Sequence, residues 1–159
     1  MKTENLQEWI GKTEERSDLL NAFPANAMAA TLNHEQLDYS ENKNLPPLWH
    51  WLYFLPIFRL SEAGYDGHAA LGDFLPPVKL PRRMWAGSRI EFLSPLKVGN
   101  EYKKKSKIKN VIAKSGRSGD LVFVTVTHEV SNGTTVFIKE EHDIVYREKA
   151  TSSSGPAKL

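Results

Sequence analysis

An antiparallel sheet filling the second half of the chain, preceded by a short helix, is the α+β arrangement the sequence predicts, and three observations predict it. Met84 to Tyr102, MWAGSRIEFLSPLKVGNEY, reads as a strand containing Ile90 and Phe92, a Ser94-Pro95 break, a corner at Val98-Gly99-Asn100 and a second strand. Ile108 to Ile112, Leu121 to Val130 and Thr135 to Tyr146 are extended segments rich in β-branched and aromatic residues, with Gly-containing breaks between them. Ahead of them, Phe23-Pro24 opens the small-residue run ANAMAATLN, where Pro24 suits the first turn of a helix.

Composition bounds the function. A chain of 159 residues with 40% hydrophobic content is sized for one domain with a real core, expected over residues 1–148 and followed by a polar tail, 149–159, expected to be disordered. The chain has no cysteine, which excludes disulfides, thiolate metal sites and a cysteine nucleophile, and fits a reducing, cytoplasmic compartment. Residues 1–20 are polar and charged, so no signal-peptide core is expected there, and no apolar run reaches the roughly 18 residues of a membrane span. The net charge of +2 is too small to argue for nucleic acid. Neither membrane nor nucleic acid is an expected partner.

Taken in order, Thr3 can cap a short helix carrying Leu6, Trp9 and Ile10, with Gly11 as its stop. Thr13 to Leu20 has no decisive pattern. In the following helix Ala27, Ala29 and Ala30 would let a backbone approach a sheet closely. Leu45 to Phe58, LPPLWHWLYFLPIF, is the densest apolar stretch; its prolines forbid a long regular helix, yet its aromatics demand burial, so it lines a core or a cavity. His50 at its centre is either a core imidazole or a pocket contact. Either Leu48 to Phe58 or Pro24 to Asn33 could be the helix inside the sheet.

Ser61 to Arg83 carries Gly64, Gly67, Gly72, Pro76-Pro77 and Pro81 and reads as an irregular connection that covers a surface or a site. Asp66-Gly67-His68 resembles an acid and base pair by accident of spacing. Arg82 and Arg83 beside Trp85 are solvated charges or a clamp for a phosphate or carboxylate.

Between Lys97 and Arg117 the chain holds eight basic residues and one acidic residue, Glu101. Period two puts Lys103, Lys105, Lys107 and Lys109 on one face, expected outward, and Tyr102, Lys104, Ser106, Ile108, Asn110 and Ile112 on the other. The lysines either block edge pairing or receive an anionic ligand. In the last hairpin Val122, Val124, Val126, His128 and Val130 share a face, as do Val136, Ile138, His142, Ile144 and Tyr146. A three-residue loop, Ser131-Asn132-Gly133 with Gly133 left-handed, would align the two faces and set His128 opposite Val136 and Val122 opposite His142.

LPPLWHWLYFLP and GDFLPPVKLPRRMWAGSRIEFLSPLKVG resemble the N-terminal half of the two-part hydroxyacyl-thioester dehydratases and mesaconyl-type CoA hydratases, in the MaoC-like hot-dog superfamily. The likeness runs over about residues 5 to 147, and the Pro-Arg-Arg-Met-Trp-Ala-Gly segment is its most specific part. It implies a curved antiparallel sheet wrapped around a helix, two such units packed together, and water addition across the α,β double bond of an acyl thioester. The family's acid and base come from an Asp-x-Asn-x-(Ile/Leu)-His motif in the C-terminal half, and this sequence has no match to it. No catalytic residue is therefore assigned here and no metal or cofactor is expected, the acyl-CoA thioester being substrate or ligand. The resemblance implies a hydro-lyase component inactive alone, in a homodimer or a heterodimer with a MaoC-type catalytic subunit. Trp49, His50, Phe74, Arg82, Arg83 and Trp85 are the expected substrate contacts. The alternatives are a silent hot-dog module that binds acyl-CoA or dimerises, and a thioesterase, which would need a helix carboxylate that ANAMAATLN does not offer.

Overall fold

The computed structural model describes residues 6–35, 38–116 and 119–149. Thr3, Arg117 and residues 150–159 of the expected tail lie outside the described residues. One antiparallel sheet of five strands organises the chain, in the order β1-β3-β4-β5-β2. The strands are β1 Thr13–Leu19, β2 Arg82–Phe92, β3 Glu101–Gly116, β4 Gly119–Ser131 and β5 Val136–Arg147. Ala22–Thr31 is the α-helix, α1. This is the expected α+β hot-dog arrangement.

The helix starts where Asn21, extended, accepts a hydrogen bond from the Phe23 N–H at 3.2 Å on its side-chain Oδ1. Pro24 falls in the first turn, where its missing N–H costs no intrahelical bond. Ala25 and Ala29, one turn apart, are fully buried and pack in one core with Leu20, Tyr102, Val130 and Ile138. Of the three expected alanines only Ala29 faces inward; Ala27 and Ala30 are exposed. Leu48 to Phe58 is thus not the central helix. Pro46-Pro47 just before it and Pro56 within it limit it to a single 3-10 turn, Trp49–Leu52, and Leu6–Trp9 is likewise one 3-10 turn.

β1 went unread because its sequence, TEERSDL, has no apolar alternation. Its half-buried positions are Glu14, Arg16 and Asp18, charged groups that find partners: Arg16 bonds Glu14 at 3.0 Å and Asp18 accepts the Phe54 N–H at 2.7 Å. β1 pairs with β3 alone, as the edge of the sheet.

The lysine stripe faces outward as expected, with Lys103 bonded to Glu15 and Lys109 to Glu141. The opposite face departs from simple alternation. A bulge between Ile108 and Asn110 inserts Lys109, so Val111 turns inward and Ile112 is 43% exposed. The final hairpin keeps the expected faces from Ile138 onward but not at Val136, which stands opposite Ser131, and it does not keep the expected register. His128 pairs with Glu140, Val126 with His142 and Val122 with Tyr146, four residues along from the predicted partners. Two features set the register: a bulge at Phe137, which falls between the pairs Ser131–Val136 and Val130–Ile138, and the loop, where Asn132 Oδ1 accepts hydrogen bonds from the Thr134 and Thr135 N–H groups and the Thr134 hydroxyl. That fold of the chain spans Asn132 to Thr135, wider than three residues. Gly133 is left-handed, with φ 93°, as its position in the turn requires.

Candidate functional site

The sheet's inner face meets the 3-10 turn Trp49–Leu52 at a buried carboxylate. Glu140, on β5, has the same parity as Ile138 and His142, so it points inward with them and is 6% exposed. Its Oε2 accepts from Trp51 Nε1 at 3.2 Å and faces His50 Nε2 at 3.4 Å; its Oε1 is 3.4 Å from the Ser88 hydroxyl, which donates to it. Ser88 in turn accepts from Trp85 Nε1 at 3.2 Å. A bulge between Trp85 and Gly87 re-phases β2 at this point.

These groups open on a cavity of about 370 Å³ with Tyr53, Phe54, Leu55 and Pro56 as apolar wall and Lys104, His128 and His142 on the sheet side. Tyr53 and Phe54 are pinned by the start of the chain, through Tyr53 Oη to the Asn21 carbonyl and Phe54 N–H to Asp18. A second cavity of about 250 Å³ shares Phe54, Pro56, Lys104, His128 and His142 and adds Phe74 and Arg83. A third, about 400 Å³, lies between Leu45 to Pro47 and Phe92 to Leu96, and His50 lines it too.

Burial controls the charges. Desolvation opposes ionisation of Glu140, but the hydrogen bonds from His50 and Trp51 outweigh it and hold the carboxyl below its ordinary value. Desolvation, with the Lys104 ammonium nearby, pushes the His128 imidazole down to about 4, and burial also lowers His142. Lys104 is lowered by burial and by Arg16, its ammonium resting 5.4 Å from the Phe54 ring centre. His128 Nδ1 lies 2.9 Å from the Ser106 hydroxyl, and the two imidazoles stand 6.2 Å apart. The inner face thus carries an ionised carboxylate beside two imidazoles that favour their neutral form. Among the described residues no three His, Asp or Glu side chains converge to hold a metal ion.

Of the residues singled out in the sequence, His50 and Trp85 meet at the first cavity, and Phe74 and Arg83 at the second. Arg83 is already bonded to Asp66 at 2.8 Å, and Asp66 also faces His68. Asp66 and His68 thus serve the loop and the start of β2. Arg82 is exposed at the end of β2, opposite Arg147. Trp49 packs away from the first two cavities, 5.2 Å from the Tyr39 ring and 5.5 Å from His34. Glu140, Trp51, Ser88 and Lys104 were not singled out as contacts. Parity alone would have flagged Glu140, which stands between Ile138 and His142 on the inward face.

Comparison with known proteins agrees with this geometry. The family model described as hydroxyacyl-thioester dehydratase type 2 matches residues 48–158. Mesaconyl-C(4)-CoA hydratase of Chloroflexus aurantiacus is 43% identical over 156 residues, covering 98% of this chain and 56% of that protein. The chain spans about half the length of this curated relative. In fold it is similar to a chain of the ChsH1-ChsH2 complex from Mycobacterium tuberculosis, with a TM-score of 0.69 at 13% identity, over 93% of this chain and 99% of that one. Among the described residues no helix is long and apolar enough to cross a membrane. A family match across most of the chain, joined to the Pro81 to Gly87 corner and the hot-dog sheet, places this protein in the hydroxyacyl-thioester dehydratase type 2 family.

Proposed function

We propose that this chain is a subunit or half of an acyl-thioester hydratase or dehydratase, which shapes the pocket for the acyl group while a second hot-dog unit supplies the catalytic Asp and His. The observation that carries the reading is the 43% identity to mesaconyl-C(4)-CoA hydratase, which runs over nearly all of this chain but little more than half of that protein. The missing Asp-x-Asn-x-(Ile/Leu)-His motif supports the division of labour, since proton transfer next to a thioester carbonyl needs a positioned base. The apolar wall of Phe54, Leu55, Pro56 and Trp85, broken by a few polar groups, suits an acyl chain. The ligand is an acyl-CoA thioester, the assembly a dimer with a MaoC-type catalytic unit, and the compartment the cytoplasm, in keeping with the absence of cysteine.

The test is reconstitution. The purified chain should leave mesaconyl-C(4)-CoA and crotonyl-CoA untouched, and hydration should appear when a MaoC-type subunit carrying the motif is added. Turnover by the chain alone would overturn the division of labour. Binding of the esters without turnover in any mixture would favour a silent acyl-CoA-binding module instead.

A further inference from the structure

Arg16, Arg83 and Lys104 line the second cavity, and the two arginines are already satisfied. Arg16 is bonded to Glu14 at 3.0 Å and Arg83 to Asp66 at 2.8 Å. Lys104 is the residue of the run Lys103 to Lys105 whose side chain turns to the inner face, where it is half-buried. It stands directly opposite Arg16 across β1 and β3, a like-charged pair that is unfavourable by itself. Among the described residues no hydrogen bond or ion pair reaches its ammonium, which rests 5.4 Å from the Phe54 ring centre. The carboxylates around it are engaged elsewhere: Glu14 by Arg16, Asp18 by the Phe54 N–H at 2.7 Å, and Glu140 by Trp51 and Ser88. Asp73, the remaining carboxylate of the second cavity, is exposed.

Lys104 also lines the first cavity, so it belongs to the floor that the two cavities share with Phe54, Pro56, His128 and His142. A lysine drawn out of water is normally paired, and one left without a counterion beside an apolar wall is a place for a ligand's anion. A phosphate, with about two negative charges and three acceptor oxygens, calls for several free donors, whereas a carboxylate on an acyl chain is matched by one ammonium. We propose that Lys104 is a specificity-determining residue, whose ammonium binds a carboxylate at the far end of the acyl group, so that the preferred ligand is the monothioester of a dicarboxylic acid. The proposal rests on the acyl-thioester reading above.

Succinyl-CoA and butyryl-CoA test it, because one carries a carboxylate where the other carries a methyl group. Neither has a double bond or a hydroxyl on its acyl chain, so a catalytic subunit cannot interconvert them. In calorimetric titration of the full chain, alone and with a MaoC-type catalytic subunit, freshly prepared succinyl-CoA should bind at least about tenfold tighter, the discrimination of one charge-assisted hydrogen bond. Lys104→Met keeps an apolar stem against Phe54 without the charge, and it should bind the two esters alike. Lys105→Met makes the same change of charge on the outer face and should keep the preference. Equal binding by the wild type, a preference surviving in Lys104→Met, or one lost equally in Lys105→Met overturns the proposal. So does a matching loss of affinity for free CoA in Lys104→Met, which would put the ammonium on a CoA phosphate. A purely structural role would weaken both esters together and leave their ratio where it was. Should Lys104→Met not fold, NMR of wild type labelled at lysine decides: the Lys104 side chain should titrate at higher pH with succinyl-CoA bound than with butyryl-CoA, and no difference overturns the idea. If neither ester binds in any mixture, the thioester reading itself falls; equal binding removes only the role of Lys104.

Discussion

Glu140 and Glu141 are neighbours on β5 and face opposite ways, into two different kinds of stabilisation. Glu140 is buried among an imidazole, an indole and a hydroxyl, and among the described residues no lysine or arginine is paired with it. Glu141 sits at the outer face with Arg89 at 2.8 Å and Lys109 beside it, in a network that Asp143 joins through a 2.7 Å bond to Arg89. Both carboxyls titrate below their ordinary value: the inner one through His50 and Trp51 against the opposing pull of desolvation, the outer one chiefly through Lys109 and Arg89. A shared direction hides unequal stakes, because the outer charges have water as an alternative and the inner donors do not.

The largest expected effect is therefore at the inner site. Glu140→Ala strands the Trp51 and Ser88 donors and opens a gap, and should cost about 4 kcal/mol, a fall of roughly 10 °C or more in thermal midpoint. Denaturant and thermal melts of the variant check it; a loss no larger than that of an outer-face variant would erase the contrast.

Acidification sharpens the same contrast. His128 is neutral in the fold, titrating at about 4 against 6.5 for an unperturbed imidazole. Below about 6.5 the unfolded chain takes up a proton that the folded chain refuses, so this contribution is intact above that pH, declines on the way down to 4, and is gone below it. The full loss is about 3 kcal/mol. Stability measured at intervals from pH 7 to pH 4 should show the slope in wild type and a shallower one in His128→Gln. Glu140 contributes stability that is full above its unfolded value and is lost as pH falls through its depressed folded value, so acidification below the range of His128 weakens the fold further.

The smallest effect belongs to the outer network. Glu141→Ala should change stability by no more than about 0.5 kcal/mol, and what difference there is should shrink in high salt. A loss comparable to that of Glu140→Ala would mean the outer charges carry more of the fold than their exposure suggests.

Much of the frame was legible in the chain. The four later strands, the inward faces of β4 and of β5 from Ile138 onward, the left-handed Gly133 and the helix opened by Pro24 all followed from period-two alternation and turn chemistry. What escaped has a common cause, namely polar groups doing inside what apolar groups usually do. β1 hides because Glu14, Arg16 and Asp18 take its inner positions, and Glu140 was passed over on a face read by its valines and isoleucines. The hairpin register differs because Asn132 gathers three donors into a wider loop than the glycine alone implies and Phe137 is bulged out of the pairing. Of the anticipated contacts, His50 and Trp85 converge, whereas Arg82 and Trp49 are carried elsewhere by strand register and by the 3-10 turn. No local pattern encodes that separation, which depends on how β2 crosses β5.

The extra residue at Lys109 also divides β3 into two stretches that count their faces from opposite parities. Because the bulge already absorbs one residue, excising that one lysine would return the strand to plain alternation, with Val111 still opposite Val124 and Ile112 still opposite Phe123. A residue lost at this point leaves both faces as they are, whereas one lost elsewhere in β3 would turn one end of the strand over.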